Sequence, residues 1–541
     1  MGAVIINDGN ILIGITEERL TRIKNDGAYK NQLPVLSIQY CMEHSGLSFE
    51  QIDRFIYTTT EFPDDYSEEF EEITGLDSNR LEFIPHHLAH AYSTFYSSGF
   101  KESAVLVIDA SGSEVFPGSK ANPWFPEKDP YQLEENTRLA EAVTIYHFGP
   151  DGYEERYKKW IKLCDTDYKG GGVSVGIMYG TGAKQLVYNP DNHVWQAGKL
   201  MGLASYAQKD FVDGHPDFVD FSIDGAFIPK GEIDDSVSYK DDFQTKANAA
   251  GIYQREQERL LLYFTEKSKE VAESDNICVA GGSFLNCNSN ELIEDSDLFG
   301  NKYFLPSSDD SGIPLGCAWY GQEYKSGKFL IPYIGAKYSN DEILKSIFES
   351  GEKLLFTEYT EWEDVYDIVS EMLCENKVIG WFQGGSETGP RALGNRSILA
   401  NPTQKWVERY INSEIKNREW YRPFAPSVLE EYRKEIFELD AFSPYMLITT
   451  KVKKEWRGKI PAVTHIDNTS RYQSVNAEMN EKYHSLISKF YEKTGVPLLL
   501  NTSFNGKREP VVESPADAIK SFSKNGLHVL VMNNIIVTRN E

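Results

Sequence analysis

The chain has 541 residues, 40% hydrophobic and 25% charged, a composition that indicates large packed cores in two or more domains rather than disorder. Its 82 acidic residues outnumber 55 basic ones, and the net charge of −27 disfavours nucleic acids and anionic membrane surfaces as partners. Six scattered cysteines without a CxxC pair, no secretory signal and no apolar stretch of roughly 18 residues favour a cytoplasmic location.

The predicted elements begin with a β-hairpin, because AVIINDGNILIGIT places an Asn-Asp-Gly turn between two β-branched runs. A helix is predicted over 33–46, and FIYTTT is a predicted strand. The run SAVLVIDASGSE (103–114) predicts a buried strand that enters a turn of small residues, and ICVAGGSFLNCNSNELI (277–293) predicts strand, Gly-Gly turn and helix. Strands interleaved with helices predict α/β layers.

A domain boundary is predicted where the sequence becomes polar, around 325–345, just before a new helix near Asn340. We therefore predict one domain over 1–335 and another over 336–541. In the second, KVIGWFQGG predicts a strand that enters a Gly turn, and VPLLLNTSFN predicts a strand that ends in a polar loop.

The segment IPHHLAHAYSTFY holds a candidate metal site, because His86 and His90 would share one face of a helix. Asp109 and Asp310 follow predicted strands, and two nitrogens with two carboxylates suit iron, manganese or zinc. A hydrogen-bonded histidine pair and two ordinary turn aspartates are the alternative.

Two Gly-rich segments, GIMYGTG (176–182) and AGGSFLN (280–286), are predicted turns. Their backbone amides could approach a phosphate or a ribose. Gly turns are common, so these segments alone do not identify a ligand.

The second half predicts an anion pocket. Its motifs GPRALGNRS, KNREWYRPFAP, THIDNTSRYQ and LLNTSFN contain Arg391, Lys416, Arg422, Arg471, Ser503 and Asn505. A solvated basic face is the alternative, but arginines set among Gly, Pro and aromatic residues in so acidic a chain indicate partial burial. A buried guanidinium requires an anionic partner, and it binds phosphate in a bidentate manner.

Ten sequence blocks in this order resemble the O-carbamoyltransferase family of antibiotic, Nod-factor and saxitoxin-type biosynthesis. The blocks are EERLTRIK, HHLAHAYSTFY, GKLMGLASYA, GGSFLNCNSN, DSGIPLG, GPRALGNRSIL, REWYRPFAPSV, THIDNTSRYQ, LLNTSFN and EPVVESPADA. The resemblance implies an N-terminal actin-like ATPase (ASKHA) fold, shared with the tRNA threonylcarbamoyladenosine transferase, fused to a C-terminal YrdC-like α/β domain.

In that family the YrdC-like domain makes carbamoyl adenylate from carbamoyl phosphate and ATP, and the N-terminal domain transfers the carbamoyl group to a hydroxyl. The resemblance implies one divalent transition metal, expected to be Fe2+, held by His86, His90, Asp109 and Asp310. It implies that Gly282 and Asn286 contact the nucleotide, with Lys24 near the same cavity. Carbamoyl phosphate and ATP would be held by Arg391, Lys416, Arg422, Arg471, Ser503 and Asn505.

One departure concerns the first residues. The family begins with a strand that carries an HDxSA motif directly before the residues equivalent to AVIINDG, and Met1 falls on the Ser of that motif. The His of that motif is the family's helper for the acceptor hydroxyl, so the general base is unassigned here, with Lys24 the nearest candidate. We expect the strand of residues 3–6 to be an internal strand of the first sheet.

The sequence leaves two other functions open. A threonylcarbamoyl-type tRNA modification enzyme would share the N-terminal fold, although the acidic charge and the C-terminal blocks oppose it. A non-catalytic nucleotide-binding regulator is the other alternative. The expected partner is a small-molecule hydroxyl acceptor that the sequence does not identify, with no nucleic acid and no membrane, and a homodimer is compatible with the sequence.

Overall fold

The computed structural model describes residues 1–24, 26, 32–60, 66–115, 138–163, 174–187, 196–217, 219–220, 228–229, 242–322 and 328–540. Within these residues helices and strands alternate along most of the chain, which confirms the predicted mixed α/β class. Of the helices in these ranges, none is long and apolar enough to cross a membrane.

The strands form several sheets. They are β1 (Gly2–Asn7), β2 (Asn10–Thr16), β3 (Phe55–Tyr57), β4 (Leu81–Phe83), β5 (Ser103–Ile108), β6 (Glu114–Val115), β7 (Arg138–Gly149), β8 (Gly152–Leu163), β9 (Val219–Asp220), β10 (Ile228–Pro229), β11 (Asn276–Ala280), β12 (Asn301–Phe304), β13 (Leu354–Glu358), β14 (Ile379–Phe382), β15 (Arg396–Ala400), β16 (Ala425–Leu429), β17 (Ile448–Lys451), β18 (Thr469–Val475), β19 (Leu498–Ser503), β20 (Val529–Met532) and β21 (Ile535–Arg539).

The helices alternate with these strands along much of the chain. They are α1 (Glu17–Thr21), α2 (Val35–Ser45), α3 (Ser67–Thr74), α4 (His86–Ser98), α5 (Val175–Val187), α6 (Ala197–Ala204), α7 (Lys209–Gly214), α8 (Phe243–Ala272), α9 (Cys287–Asp295), α10 (Ile313–Tyr320), α11 (Asn340–Glu349), α12 (Trp362–Cys374), α13 (Lys405–Tyr410), α14 (Arg433–Ile436), α15 (Lys454–Arg457), α16 (Ala477–Thr494) and α17 (Pro515–Lys524). A π-helical turn, Ile411–Ile415, follows α13 directly.

The first large sheet brings the ends of three parallel strands to one edge. Its order is β12-β11-β5-β7-β6, with β8 paired to β7, and β11 runs parallel to both β5 and β12. Every residue of β5 is buried, as expected for a strand covered on both faces. Because parallel strands end at the same edge, the segments that follow β5, β11 and β12 converge there, and each carries a candidate site residue.

The second large sheet has the order β13-β21-β20-β14-β15-β19-β16-β18-β17. It underlies a hydrophobic cluster whose buried members run from Ile343 to Val537. A separate cluster is built mainly from residues 88–330, but it also takes in Leu393, Ala425 and residues 441–448 of the second half. The two halves are therefore packed against each other, and the boundary near residue 335 stays a prediction.

Most predicted elements are present. The hairpin turn lies at Asp8 and Gly9, both with positive φ as a type I′ turn requires, and the second-half helix begins at Asn340 with the Ser339 side chain as its N-cap. The prediction of a Gly-rich turn at 176–182 is wrong, because these residues lie in α5. Its glycines allow close packing: a Cβ on Gly176 would lie 2.7 Å from the Ala110 Cα atom, and one on Gly182 would lie 2.7 Å from the Tyr253 ring.

The prediction that residues 3–6 form an internal strand is also wrong. Among the described residues, β1 pairs only with β2, as β3 pairs only with β4, so each pair is a two-stranded sheet. Residues of β1 and β3 instead line a cavity of about 1030 Å³, whose lining also includes His86 and Asp310. The β1 edge therefore faces this cavity, which connects to the candidate metal residues.

We expect Gly316→Ala to destabilise the protein by about 1–3 kcal/mol, because overpacking a tight contact forces the backbone to move. Its Cβ would lie 1.8 Å from the Ala89 carbonyl oxygen, where α10 crosses α4. Gly198→Ala is the matched control, since Gly198 lies in α6 with no neighbouring atom within 4 Å of where its Cβ would lie, and it should be neutral or slightly stabilising. Urea unfolding of both variants measures the difference, and equal stabilities would contradict the packing argument.

Candidate functional site

The predicted histidine pair lies at the start of α4. The helix begins directly after Pro85, and its first residue, His86, donates its backbone N–H to the Ser113 hydroxyl at 2.9 Å. Every residue of α4 is buried, and His90 is fully buried one turn along. The helix therefore presents both imidazoles on one face, inside the protein, as the spacing predicts.

Two carboxylates close the cluster. Asp109 follows β5 directly, and its Oδ2 lies 3.3 Å from His86 Nε2 and 3.2 Å from His90 Nε2. Asp310 begins a short 3₁₀ turn before α10, and its Oδ1 lies 3.4 Å from His86 Nε2 and 3.7 Å from His90 Nε2. One ligand atom from each of the four residues lies within 4.8 Å of the others. Two nitrogens and two oxygens this close suit a divalent transition metal.

Interactions within the cluster shift the pKa values of its members. Burial alone would lower the pKa of His86, but hydrogen bonds to Asp109 and Asp310 outweigh it and raise that pKa to about 10. Burial would also lower the pKa of His90, but hydrogen bonds to the same two carboxylates raise it. The two histidines in turn hold the pKa of Asp109 well below its usual range, although burial acts to raise it. His90 Nδ1 is buried without a hydrogen-bond partner. The residues therefore fit a metal ion, which would replace the protons between imidazoles and carboxylates.

Backbone amides orient the Asp109 carboxylate. Its Oδ1 accepts hydrogen bonds from Ala110 N–H at 2.7 Å and from Gly282 N–H at 3.2 Å. Gly281 is required beside it, because its φ is +100° and a Cβ there would lie 2.2 Å from the Ile108 carbonyl oxygen. Gly282, expected to contact a nucleotide, thus already contacts a candidate metal ligand.

A buried carboxylate behind the cluster was not predicted. Glu141 accepts hydrogen bonds from the backbone N–H groups of His87 and Ser113 and forms an ion pair with Lys158 at 3.0 Å. Burial would raise the pKa of Glu141, but Lys158 and the other donors lower it to about 2. The contacts of Glu141 connect β7 to the turn that contains Ser113 and to α4. Glu141 lies in no recognisable motif, so only the strand pairing identifies it.

The predicted cations meet around the turn before α9. Arg391 donates to the Leu285 carbonyl oxygen at 3.3 Å, and the Cys287 sulfur lies 3.9 Å from both Arg391 and Arg471. The Nε atoms of both arginines are buried without partners. Burial, and next Arg471, lower the pKa of Arg391 to about 10. Two guanidinium groups thus face each other with unused donors.

Lys416 completes this cluster at the end of the π-helical turn. Its Nζ donates to the Ser503 carbonyl oxygen, to the Ser503 hydroxyl at 3.2 Å and to Asn505 Oδ1 at 2.5 Å. Burial, followed by the charges of Arg418, Lys24 and Arg422, holds the pKa of Lys416 well below its usual range. Ser503 and Asn505 therefore lie beside Lys416, where they hold its ammonium group, and their role in an anion pocket stays a prediction.

Arg418 was missed, although it lies in the same motif as Lys416 and Arg422. Its Nε donates to Asn412 Oδ1 at 2.6 Å, and its guanidinium lies 4.6 Å from the centre of the Phe424 ring. Burial, followed by Arg422 and Arg471, holds its pKa well below its usual range. Within the described part of the chain, the cluster cations that form no ion pair with a carboxylate are Arg391, Lys416, Arg418, Arg422 and Arg471.

Asn286 lies between the two clusters but has protein partners of its own. Its side chain caps α9 by accepting from Ser289 N–H, and it exchanges hydrogen bonds with Gln254 at 2.9 and 3.0 Å. The short segment from Gly282 to Cys287 thus contacts Asp109 at one end and two arginines at the other. A single turn joins the metal candidates to the cations.

Two family profiles match the chain: the carbamoyltransferase N-terminus over residues 1–74 and 231–319, and the carbamoyltransferase C-terminus over residues 370–539. The nodulation protein NolNO of Sinorhizobium fredii (strain NBRC 101917 / NGR234) is 31% identical over 99% of this chain and 78% of its own length. The 3'-hydroxymethylcephem-O-carbamoyltransferase of Amycolatopsis lactamdurans is 32% identical over 64% of this chain and 65% of its own. These matches confirm the resemblance to the family.

Among solved structures, HypF of T. kodakarensis is similar with a TM-score of 0.35 and 14% identity, over 54% of this chain and 45% of that one. Full-length HypF in a phosphate- and nucleotide-bound form has a TM-score of 0.23 and 18% identity, over 36% of this chain and 24% of that one. Scores this low support no conclusion about function.

We expect metal binding to release protons, because His86 and His90 carry raised pKa values and must be neutral to act as ligands. Mn2+ affinity should therefore rise between pH 6 and pH 8, by about tenfold per pH unit for each proton displaced. Calorimetric titration in two buffers of different ionisation enthalpy measures the proton count.

The control for this prediction is His90→Ala, which removes one nitrogen and should lower the metal content of the purified protein. His44→Ala is the matched variant, because His44 lies on α2, where it contacts Tyr40 and Tyr338 and no member of the candidate metal cluster. Equal metal content in the His90 variant and the unchanged protein would exclude the site.

Proposed function

The chain belongs to the carbamoyltransferase family, and we propose that it makes carbamoyl adenylate from carbamoyl phosphate and ATP and transfers the carbamoyl group to a hydroxyl of a small-molecule natural product. The observation that carries the proposal is the pocket of cations without carboxylate partners, joined by the turn at Gly282–Leu285 to the His86 and His90 cluster. An acidic protein that gathers such cations requires an anionic ligand there.

In the first step, carbamoyl phosphate, ATP and one water molecule would give carbamoyl adenylate, phosphate and pyrophosphate. Arg391 and Arg471 would contact phosphoryl oxygens through their unused guanidinium N–H groups, and Lys416 would add a single point charge. Arg422 would complete the set of contacts. Cations held in place before the substrate arrives stabilise the charge on transferring groups without further reorganisation.

In the second step, the carbamoyl group would pass to the acceptor oxygen, and AMP would leave. His86, His90, Asp109 and Asp310 would hold a divalent transition metal, for which we propose iron. When bound, that metal would supply Lewis-acid polarisation and a template for the acceptor. The amides of Ala110 and Gly282 would keep Asp109 oriented, and the cavity beside β1 would offer the acceptor a route to His86.

We propose that the first half has the actin-like ATPase fold and the second half the YrdC-like fold. The supports are the parallel pairing of β5, β11 and β12 in one sheet and the separate hydrophobic cluster of the second half. A small-molecule acceptor, rather than nucleic acid, agrees with the net charge of −27.

The direct test is incubation of the metal-loaded protein with carbamoyl phosphate and ATP. We expect release of pyrophosphate that depends on carbamoyl phosphate. A threonylcarbamoyl transferase or a non-catalytic regulator would release none under these conditions. Absence of pyrophosphate from protein whose metal content is complete would contradict the proposed adenylate chemistry.

We predict that Arg471→Ala lowers the rate of pyrophosphate release by about 100-fold or more, because a charge-assisted contact to a desolvated phosphoryl group is lost. Metal content should not change, because Arg471 does not contact the histidine cluster. Arg433→Ala is the matched control: this arginine pairs with Glu430 and Asp440 in the same half of the chain, and its rate should stay normal. A normal rate in the Arg471 variant would show that this arginine is structural.

A further inference from the structure

The turn that carries Arg391 is organised by a buried carboxylate. Glu387 lies four positions before Arg391 and is only 2% exposed. Its Oε1 accepts hydrogen bonds from the backbone N–H groups of Leu393 and Asn395 at 2.8 Å and of Arg396 at 3.0 Å. Three amides of one turn thus point at a single oxygen. They fix the conformation of the turn, because a buried amide that loses its acceptor costs free energy.

The carbonyl oxygens of the same turn are held by side chains from other elements. Asn501 on β19 donates to the Ala392 carbonyl oxygen at 3.0 Å. Gln473 on β18 and the Tyr333 hydroxyl both donate to the Leu393 carbonyl oxygen at 2.9 Å. Gln473 Oε1 also accepts from Asn501 Nδ2 at 3.3 Å, so these donors form one polar network. The backbone of the turn is therefore held on its amide side and on its carbonyl side.

The two strands in this network also carry residues of the cation cluster. Side chains two positions apart on a strand point to the same face of a sheet. Gln473 lies two positions after Arg471 on β18, and Asn501 lies two positions before Ser503 on β19. The network therefore adjoins the cation cluster along both strands, and it relates the turn of Arg391 to the strands that carry the other residues.

Arg391 itself has few contacts that define its position. Its guanidinium donates to the Leu285 carbonyl oxygen at 3.3 Å and lies 3.9 Å from the Cys287 sulfur. Its Nε has no hydrogen-bond partner among the described residues. A side chain with so few contacts depends for its placement on the backbone that carries it. That backbone is the turn that Glu387 holds.

We propose that Glu387 is a positioning residue: by holding the 393–396 turn, it directs the Arg391 guanidinium towards Arg471, in an arrangement that binds a phosphoryl group. The proposal rests on the proposed function for the identity of the phosphate compound. The arrangement itself can be tested with inorganic pyrophosphate as the probe, in a binding measurement that requires no reaction.

Glu387→Ala distinguishes positioning from electrostatics, because the two predict opposite changes in affinity. Removing a negative charge four positions from Arg391 would by itself strengthen the binding of an anion. Loss of positioning should instead weaken pyrophosphate binding and raise KM for carbamoyl phosphate by about 10- to 100-fold, the range of one hydrogen bond to a charged group. Calorimetric titration with pyrophosphate measures the change.

Glu387→Gln is the conservative variant. It keeps an acceptor oxygen for the three amides, and its NH2 group takes the place of Oε2, which accepts no hydrogen bond among the described residues. It should therefore recover most of the affinity that Glu387→Ala loses.

A double-mutant cycle with Arg391→Met tests whether Glu387 acts through this arginine. In the Arg391→Met background, Glu387→Ala should cause no further loss of pyrophosphate affinity, because residues that act as one unit are not additive.

Asn401→Ala is the matched control. Asn401 is buried and lies directly after β15, at the opposite end of that strand from the turn, and its side chain accepts from Thr403 N–H at 3.0 Å. The variant should lower the melting temperature but leave pyrophosphate affinity unchanged.

Gln473→Met provides the test if Glu387→Ala unfolds. It removes one donor to the Leu393 carbonyl oxygen, and it should weaken pyrophosphate binding by about 3- to 10-fold, since the Tyr333 hydroxyl still donates there. This loss should also disappear in the Arg391→Met background.

Unchanged or stronger binding in Glu387→Ala would overturn the positioning role, and so would an equal loss with and without Arg391. Equal losses in the Gln and Ala variants would overturn it too, since the acceptor oxygen would then be irrelevant. If Glu387→Ala unfolds, normal affinity in Gln473→Met has the same consequence. No pyrophosphate binding by the unchanged protein would overturn the arrangement itself. Binding that changes as expected, without pyrophosphate release from carbamoyl phosphate and ATP, would support the positioning role and contradict only the proposed reaction.

Discussion

The arrangement of the site depends on positive charge that the protein does not neutralise. A chain with 82 acidic residues has ample carboxylates, yet among the described residues Arg391, Arg418 and Arg471 form no ion pair with any of them. Bringing like charges together in a desolvated pocket costs free energy, which lowers the pKa of Arg391 and of Arg418 and which a bound polyanion recovers. The surrounding contacts therefore hold the cations in place. The Phe424 ring lies beside Arg418, and Ser503 and Asn505 surround the Lys416 ammonium group. Glu419, the residue after Arg418, is itself held by an ion pair with Lys199.

The second constraint is geometric and comes from the parallel strands. Since β5, β11 and β12 end at one edge, Asp109, Gly282 and Asp310 converge there although they are far apart in sequence. The turn after β11 is short, and its two ends contact different groups. The Gly282 N–H donates to the Asp109 carboxylate, and the Leu285 carbonyl oxygen accepts from Arg391. The distance between the cation cluster and the candidate metal ligands is thus set by a few residues of one turn, and movement there would alter both clusters.

Much of this was predictable from local pattern. The hairpin at Asp8–Gly9, the helix from Asn340 and the shared face of His86 and His90 follow from turn chemistry, capping and helical periodicity, all of which act within a few residues. The glycines of α5 were misread as turn residues because a glycine that permits close packing has the same sequence signature as one that permits a turn. Glu141 and Cys287 could not be found, since their importance comes entirely from partners on other elements.

The sequence by itself determined the residue types and their local order: two imidazoles one helical turn apart, carboxylates after strands and arginines among rigid, apolar neighbours. The family resemblance added an expectation of what these residues do. Only the tertiary structure decided which of them meet, because contacts between Arg22 and the 510–511 segment, or between Asp109 and Gly282, join positions that lie far apart along the chain. Such contacts depend on how sheets and helices pack in three dimensions, and no local spacing encodes that packing.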